Sequence, residues 1–195
     1  MRYLLILVLV VGMIGVVFAA AGDVDSTEEI NDSIPNGPRN ISGDNFGQSV
    51  ANIGDLDGDG VEDLAVGTTR DDAGGTNRGA VHIMFMNANG TLKSTVKIDD
   101  STANGPDLGD RDYFGRSIAN MGDRDDWDGE DGIVLAVGAT RDNAGEGERG
   151  AVHIVFVNTN GSVDSTVEID DSTANGPDLA NDDKFGRSSA NIGDM

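Results

Sequence analysis

From Phe46 onward the chain reads as short apolar or alternating runs separated by Asn, Asp and Gly, and no stretch keeps a helical period of useful length. Ala80 to Met86 is a nearly continuous apolar run bounded by Gly79 and Asn87, the length of a buried strand. Thr91 to Ile98 then alternates polar and apolar positions, as an exposed strand does. The intervening Asn89-Gly90 predicts a tight hairpin turn with both residues at positive φ. Ala151 to Val157, Asn160-Gly161 and Val163 to Ile169 repeat the whole pattern. Two further strands are expected in the first copy, Phe46 to Ile53 and Leu64 to Thr68. The expected class is all-β, with four short antiparallel strands per unit, the make-up of a β-propeller blade.

The repetition extends well beyond the strands. Ile98-Asp99-Asp100-Ser101-Thr102-Ala103-Asn104-Gly105-Pro106-Asp107-Leu108 recurs at Ile169 to Leu179, and Ile30 to Pro38 is a fainter copy. Phe46-Gly47, Phe114-Gly115 and Phe185-Gly186 mark the same period, with offsets of 68 and then 71 residues. The three extra residues fall in an acidic loop of the second copy, since the spacing from Gly67 to Phe114 equals that from Gly138 to Phe185. The sequence units run 22–89 and 90–160, followed by a partial unit, 161–195. Each repeat needs a neighbour for its apolar face, and fewer than three are rarely stable. A truncated or split reading frame is the expected explanation of so short an array. Self-association of chains that complete one another is the alternative.

Upstream of the repeats the pattern changes. Arg2 precedes an apolar run from Leu4 to Phe18, and Ala19-Ala20-Ala21 follows, which predicts a signal peptide, 1–21, cleaved after Ala21. Tyr3 to Ala21 also approaches the ~20 residues of a membrane span, so an uncleaved anchor is the other reading, and the only membrane contact expected. The protein is therefore expected to be secreted or held at the cell surface. It has no cysteine, so an exported chain must find staples other than disulfides, and metal is the obvious one. The net charge of −22 argues against nucleic acid or anionic lipid as a partner. The excess of Asp fits either oxygen ligands for a hard cation or a surface hydrated for high salt.

One acidic segment has the spacing of a metal loop. In Asp55-Leu56-Asp57-Gly58-Asp59-Gly60-Val61-Glu62-Asp63, alternate carboxylates converge if the loop curls, Gly60 permits the turn, Val61 offers its carbonyl and Asp63 returns as the last ligand. Calcium takes six to eight hard oxygens in a flexible cage, whereas magnesium prefers few protein ligands. The loop is not an EF-hand, because the twelfth place is Val66, inside an apolar strand. The second copy, Asp123-Arg124-Asp125-Asp126-Trp127-Asp128-Gly129-Glu130-Asp131-Gly132, offers Asp123, Asp125, Asp128 and Asp131 as a weaker set, with Val134 at the place of Asp63.

Taken together, Phe46-Gly47-Gln48-Ser49-Val50-Ala51, Gly54-Asp55 with its acidic loop, Asp63 to Thr68 and Arg78 to Ile83 resemble an FG-GAP repeat. This is the unit of the integrin α-subunit N-terminal propeller and of many microbial secreted proteins. The resemblance implies a seven-bladed propeller in complete members, with calcium in the loop between the first two strands. It implies Asp55, Asp57, Asp59, Val61 and Asp63 as ligands. Val66-Gly67-Thr68-Thr69 and Val137-Gly138-Ala139-Thr140 match the second-strand motif, with Thr where Pro is common. The expected function is a non-catalytic binding or adhesion module for an extracellular protein or glycan. The alternatives are the non-catalytic propeller portion of a secreted enzyme, or a structural surface-layer component. His82 and His153 recur at one strand position, and Ser49, Ser117 and Ser188 recur by register without a nucleophile elbow, so no enzyme activity is expected.

Overall fold

A computed structural model describes residues 27–39, 42–143 and 147–193. The segment expected to be a signal peptide lies outside the described residues, as does Asp194 at the start of a third acidic loop. No described helix is long and apolar enough to cross a membrane. Eight strands form two four-stranded antiparallel sheets, each a simple meander. The first holds β1 (Phe46–Gly54), β2 (Asp63–Thr68), β3 (Ala80–Met86) and β4 (Leu92–Ile98). The second holds β5 (Phe114–Asp123), β6 (Ile133–Ala139), β7 (Ala151–Val157) and β8 (Val163–Ile169). The one described α-helix is a single turn, α1 (Asp125–Asp128). These are two blades of an incomplete propeller, and neither sheet closes on itself. The sheets are one strand out of phase with the sequence units, since β4 lies beyond residue 89 yet completes the first sheet.

The uninterrupted apolar run of β3 is explained by burial on both faces. Val81, Ile83 and Phe85 join a core between the blades with Ile53, Leu56, Phe114, Ile118, Leu135, Val137 and Val155. Met84 and Met86, pointing the other way, form a second core with Val66 and Leu92, packed against Ile30 and Ile34. Ile30 and Ile34 therefore cover part of this face of the first blade, and Asn36 is tied to β4 through Lys93 O and the Thr95 hydroxyl.

The hairpin turn differs from expectation. Gly90 alone has positive φ (82°), and Asn89 does not. Gly90 N–H donates to Asn87 O and Asn87 N–H to Thr91 O, both at 2.8 Å, so an ordinary turn from Asn87 to Gly90 is followed by a glycine bulge. The bulge appears as a register slip between Phe85 and Met86, and it recurs between Phe156 and Val157.

Blade-to-blade contact is made by the glycines of the repeated motifs. The Ser49 hydroxyl donates to Gly115 O at 2.8 Å, and Ser117 donates to Gly186 O at the same distance. Those carbonyls lie directly against Gly67 and Gly138, where a Cβ would collide with them. Phe114 N–H also donates to Arg78 O at 2.9 Å. The Phe-Gly of one unit thus docks on the Val-Gly of the unit before it, and Ser49 and Ser117 are the pins.

Candidate metal centre

The acidic loop joins β1 to β2, whose ends pair at Gly54 and Asp63, so the first and last aspartates start from neighbouring backbone. Asp63 is fully buried and holds the loop shut. Its Oδ2 accepts from Leu56 N–H at 3.0 Å and its Oδ1 from Met86 N–H at 2.9 Å. Burial raises its pKa, against the pull of those two amides. Asp55 folds the loop over itself, accepting from the N–H groups of Asp59 (2.9 Å) and Gly60 (2.8 Å). These bonds bring one oxygen each of Asp55, Asp57 and Asp63 within 4.8 Å of one another. Carboxylates at such distances repel by on the order of 3–4 kcal/mol per pair at an effective dielectric of 20. A hard cation reverses the sign of that energy, and a purely carboxylate set suits calcium rather than a soft metal.

The remaining two expected ligands sit differently. Asp59 faces Lys93 of β4, whose Nζ lies 2.5 Å from it and 2.7 Å from Asp57. This amine holds the Asp59 carboxyl below its usual range. The Val61 side chain packs against the core around Val66 and Met84. Among the described residues, Asp55, Asp57 and Asp63 are the one acidic group drawn together tightly enough for a shared ion.

In the second blade the insertion winds into α1 and spreads its carboxylates. Arg124, at the place of Leu56, is buried within this loop. It pairs with Asp128 at 2.8 Å and with Asp164 at 2.9 Å, and donates to Asn158 Oδ1 at 2.7 Å. Asp164 stands where Lys93 stands in the first blade. Cation and anion have exchanged positions, and the second loop carries its own guanidinium. Asp123, Asp125 and Asp131 instead line, with Asp55 and Asp57, a hollow of about 450 Å³ between the loops.

Residues 46–84 match the family model of the FG-GAP repeat. The chain carries an FG-GAP repeat. The match spans β1, the acidic loop, β2 and most of β3, and the second sheet repeats the same motifs in the same order. Gly67 of this repeat and Gly115 of the next Phe-Gly pair are the glycines at which the two blades touch.

A second polar cluster, away from the loops, also inverts between the blades. His82 and His153 are each 1 % exposed, stacked edge-on against Phe46 and Phe114, and without a hydrogen-bond partner at either nitrogen. Across the sheet from His82 stands Lys97, paired with Asp71 at 2.8 Å and Asp99 at 3.1 Å. Across from His153 stands Glu168. Burial, then the Lys97 charge, pushes His82 down to about 4, so its contribution to stability fades as pH falls from its unfolded value towards 4. Asp112, buried beside Asp142, has the opposite sign: burial and then its neighbour's charge raise it to about 7. Its contribution is present in acid and is lost as pH rises through 7. Asp112→Asn, which stays neutral, should therefore melt like the parent near pH 4 and at a higher temperature than the parent at pH 8. Equal melting of the two proteins at pH 8 would remove the charge argument.

Proposed function

We propose that this FG-GAP repeat protein is secreted or displayed at the cell surface and acts as a calcium-dependent, non-catalytic binding or adhesion module for an extracellular protein or glycan. The convergence of Asp55, Asp57 and Asp63 carries the reading. Those three would hold the ion, with Asp59 and the Val61 carbonyl within the same loop. Calcium there would tie the end of β1 to the start of β2 and stiffen the loops around it, in a chain with no disulfide to do so. The non-catalytic part of the proposal draws on the recurring histidines, which are almost wholly buried and stacked edge-on against phenylalanine rings. Calcium titrated into chelator-treated protein tests it: saturable binding should appear and should be lost in Asp57→Ala. Binding unchanged by that substitution would move the site elsewhere.

A further inference from the structure

At the ends of the blades opposite the acidic loops, one hollow is lined by basic side chains. Asp55 follows the last residue of β1, whereas Asn45 precedes its first, and nine strand residues at roughly 3.3 Å each put the two ends about 25–30 Å apart. At that far end Arg70, Arg116, Arg141, Lys184 and Arg187 line one hollow of about 230 Å³, together with Tyr113. Five of the thirteen basic residues of a chain of net charge −22 meet at one place.

Pairing makes the grouping informative. Arg78, Lys93, Lys97, Arg124 and Arg149 each sit on at least one aspartate. Among the described residues, Arg70, Arg116, Lys184 and Arg187 have no ion-pair partner at all, in a chain with 35 acidic residues. Arg141 reaches Glu148 only at 3.5 Å and lies over the Tyr113 ring, 5.1 Å from its centroid. Converging cations repel, and a fold with so many carboxylates to spare could have neutralised them.

The repeat itself builds the group. Arg70 and Arg141 follow the threonines Thr69 and Thr140 just beyond β2 and β6, and their N–H groups donate to Asp44 O (3.0 Å) and Asp112 O (3.2 Å). Arg116 and Arg187 each follow the glycine of a Phe-Gly pair. The residues before Phe46, Phe114 and Phe185, which are Asn45, Tyr113 and Lys184, all line the hollow with positive φ, near 57°, a strained conformation for tyrosine and lysine.

We propose that this hollow is an anion-binding site for a sulfate or phosphate ester group on the protein's partner, gripped by Arg70, Arg116, Arg141 and Arg187. Planar guanidinium groups match the oxygens of such esters in pairs, and the arginines reach the group from successive repeats around it. The hollow has room for one charged head group and too little for a drug-sized apolar ligand. The acidic remainder of the molecule would repel a polyanion that cannot place its charge in the hollow, so a single ester is favoured over a long uniform charge.

This inference rests on the binding-module reading, and the test separates the two. Arginine side-chain N–H signals of the full chain are followed by NMR during titration with inorganic sulfate, inorganic phosphate, glucose 6-sulfate or glucose 6-phosphate, at constant ionic strength made up with chloride. Saturable shifts at Arg70 and Arg116 are expected, with the preferred sulfur or phosphorus series giving the tighter curve. In the double variant Arg70→Gln, Arg116→Gln the apparent affinity should fall at least tenfold, while melting in calcium stays as in the parent. Linear shifts spread over all arginines, or affinity unchanged in the double variant, would overturn the proposal. Calcium-dependent melting in the same samples reports separately on the binding-module reading.

Discussion

Gly67→Ala should destabilise the protein by about 3 kcal/mol or more, a fall in melting temperature on the order of 10 °C at this size. Gly67 does not have positive φ, so the backbone itself would accept alanine. The cost is steric, because the added carbon would run into the Gly115 carbonyl and the Ser49 hydroxyl that donates to it. Relief requires the second blade to move away, opening the core that Ile83, Phe85 and Phe114 share. Gly90→Ala is the control. Its Cβ would meet only Glu28, at 3.7 Å, and the turn would bear about 1 kcal/mol for its positive φ. Similar melting temperatures for the two variants would contradict the account of how blades dock.

Asp63→Ala is the second large effect. It removes the one carboxylate that accepts from both Leu56 and Met86, leaving two amides without a partner in a buried place. At about 1–3 kcal/mol for each unsatisfied group, the loss should reach roughly 3–5 kcal/mol. It should persist in chelator, because those bonds belong to the fold whether or not an ion is present. Asp63→Asn keeps one acceptor oxygen and should recover about half of the loss, yet respond more weakly to calcium. Thermal melting of both variants, with and without calcium, separates the residue's part in the fold from its proposed part in holding an ion. A normal melting temperature for Asp63→Ala in chelator would show that the amides find other partners.

Much of the fold was legible because strand signals in this chain are local. Ala80–Met86, Ala151–Val157 and Val163–Ile169 run between the residues the apolar pattern marks. The exact repeat at Ile98 and Ile169 announced more than one blade. What stayed hidden depends on contacts between residues far apart in sequence. Asn-Gly pointed to a two-residue turn, but the bulge is set by how Asn87 and Thr91 pair. Lys93 looked like an ordinary exposed position of an alternating strand, and only the sheet brings it over Asp57 and Asp59. Arg124 replaces Leu56 inside an acidic run, and that replacement is the sequence signal that the second loop brings its own cation. The arginines of the far hollow are each unremarkable in sequence and become a group only when three repeats lie side by side.

Melting of the parent chain and of Asp57→Ala, in calcium and in chelator, tests the central claim that the first loop binds calcium. At a hundredfold excess over its dissociation constant, an ion held only by the folded state adds about 2.7 kcal/mol. The parent should therefore melt roughly 5–10 °C higher in calcium than in chelator, and Asp57→Ala should show little of that rise. Coincident melting curves for the parent in calcium and in chelator would contradict the claim.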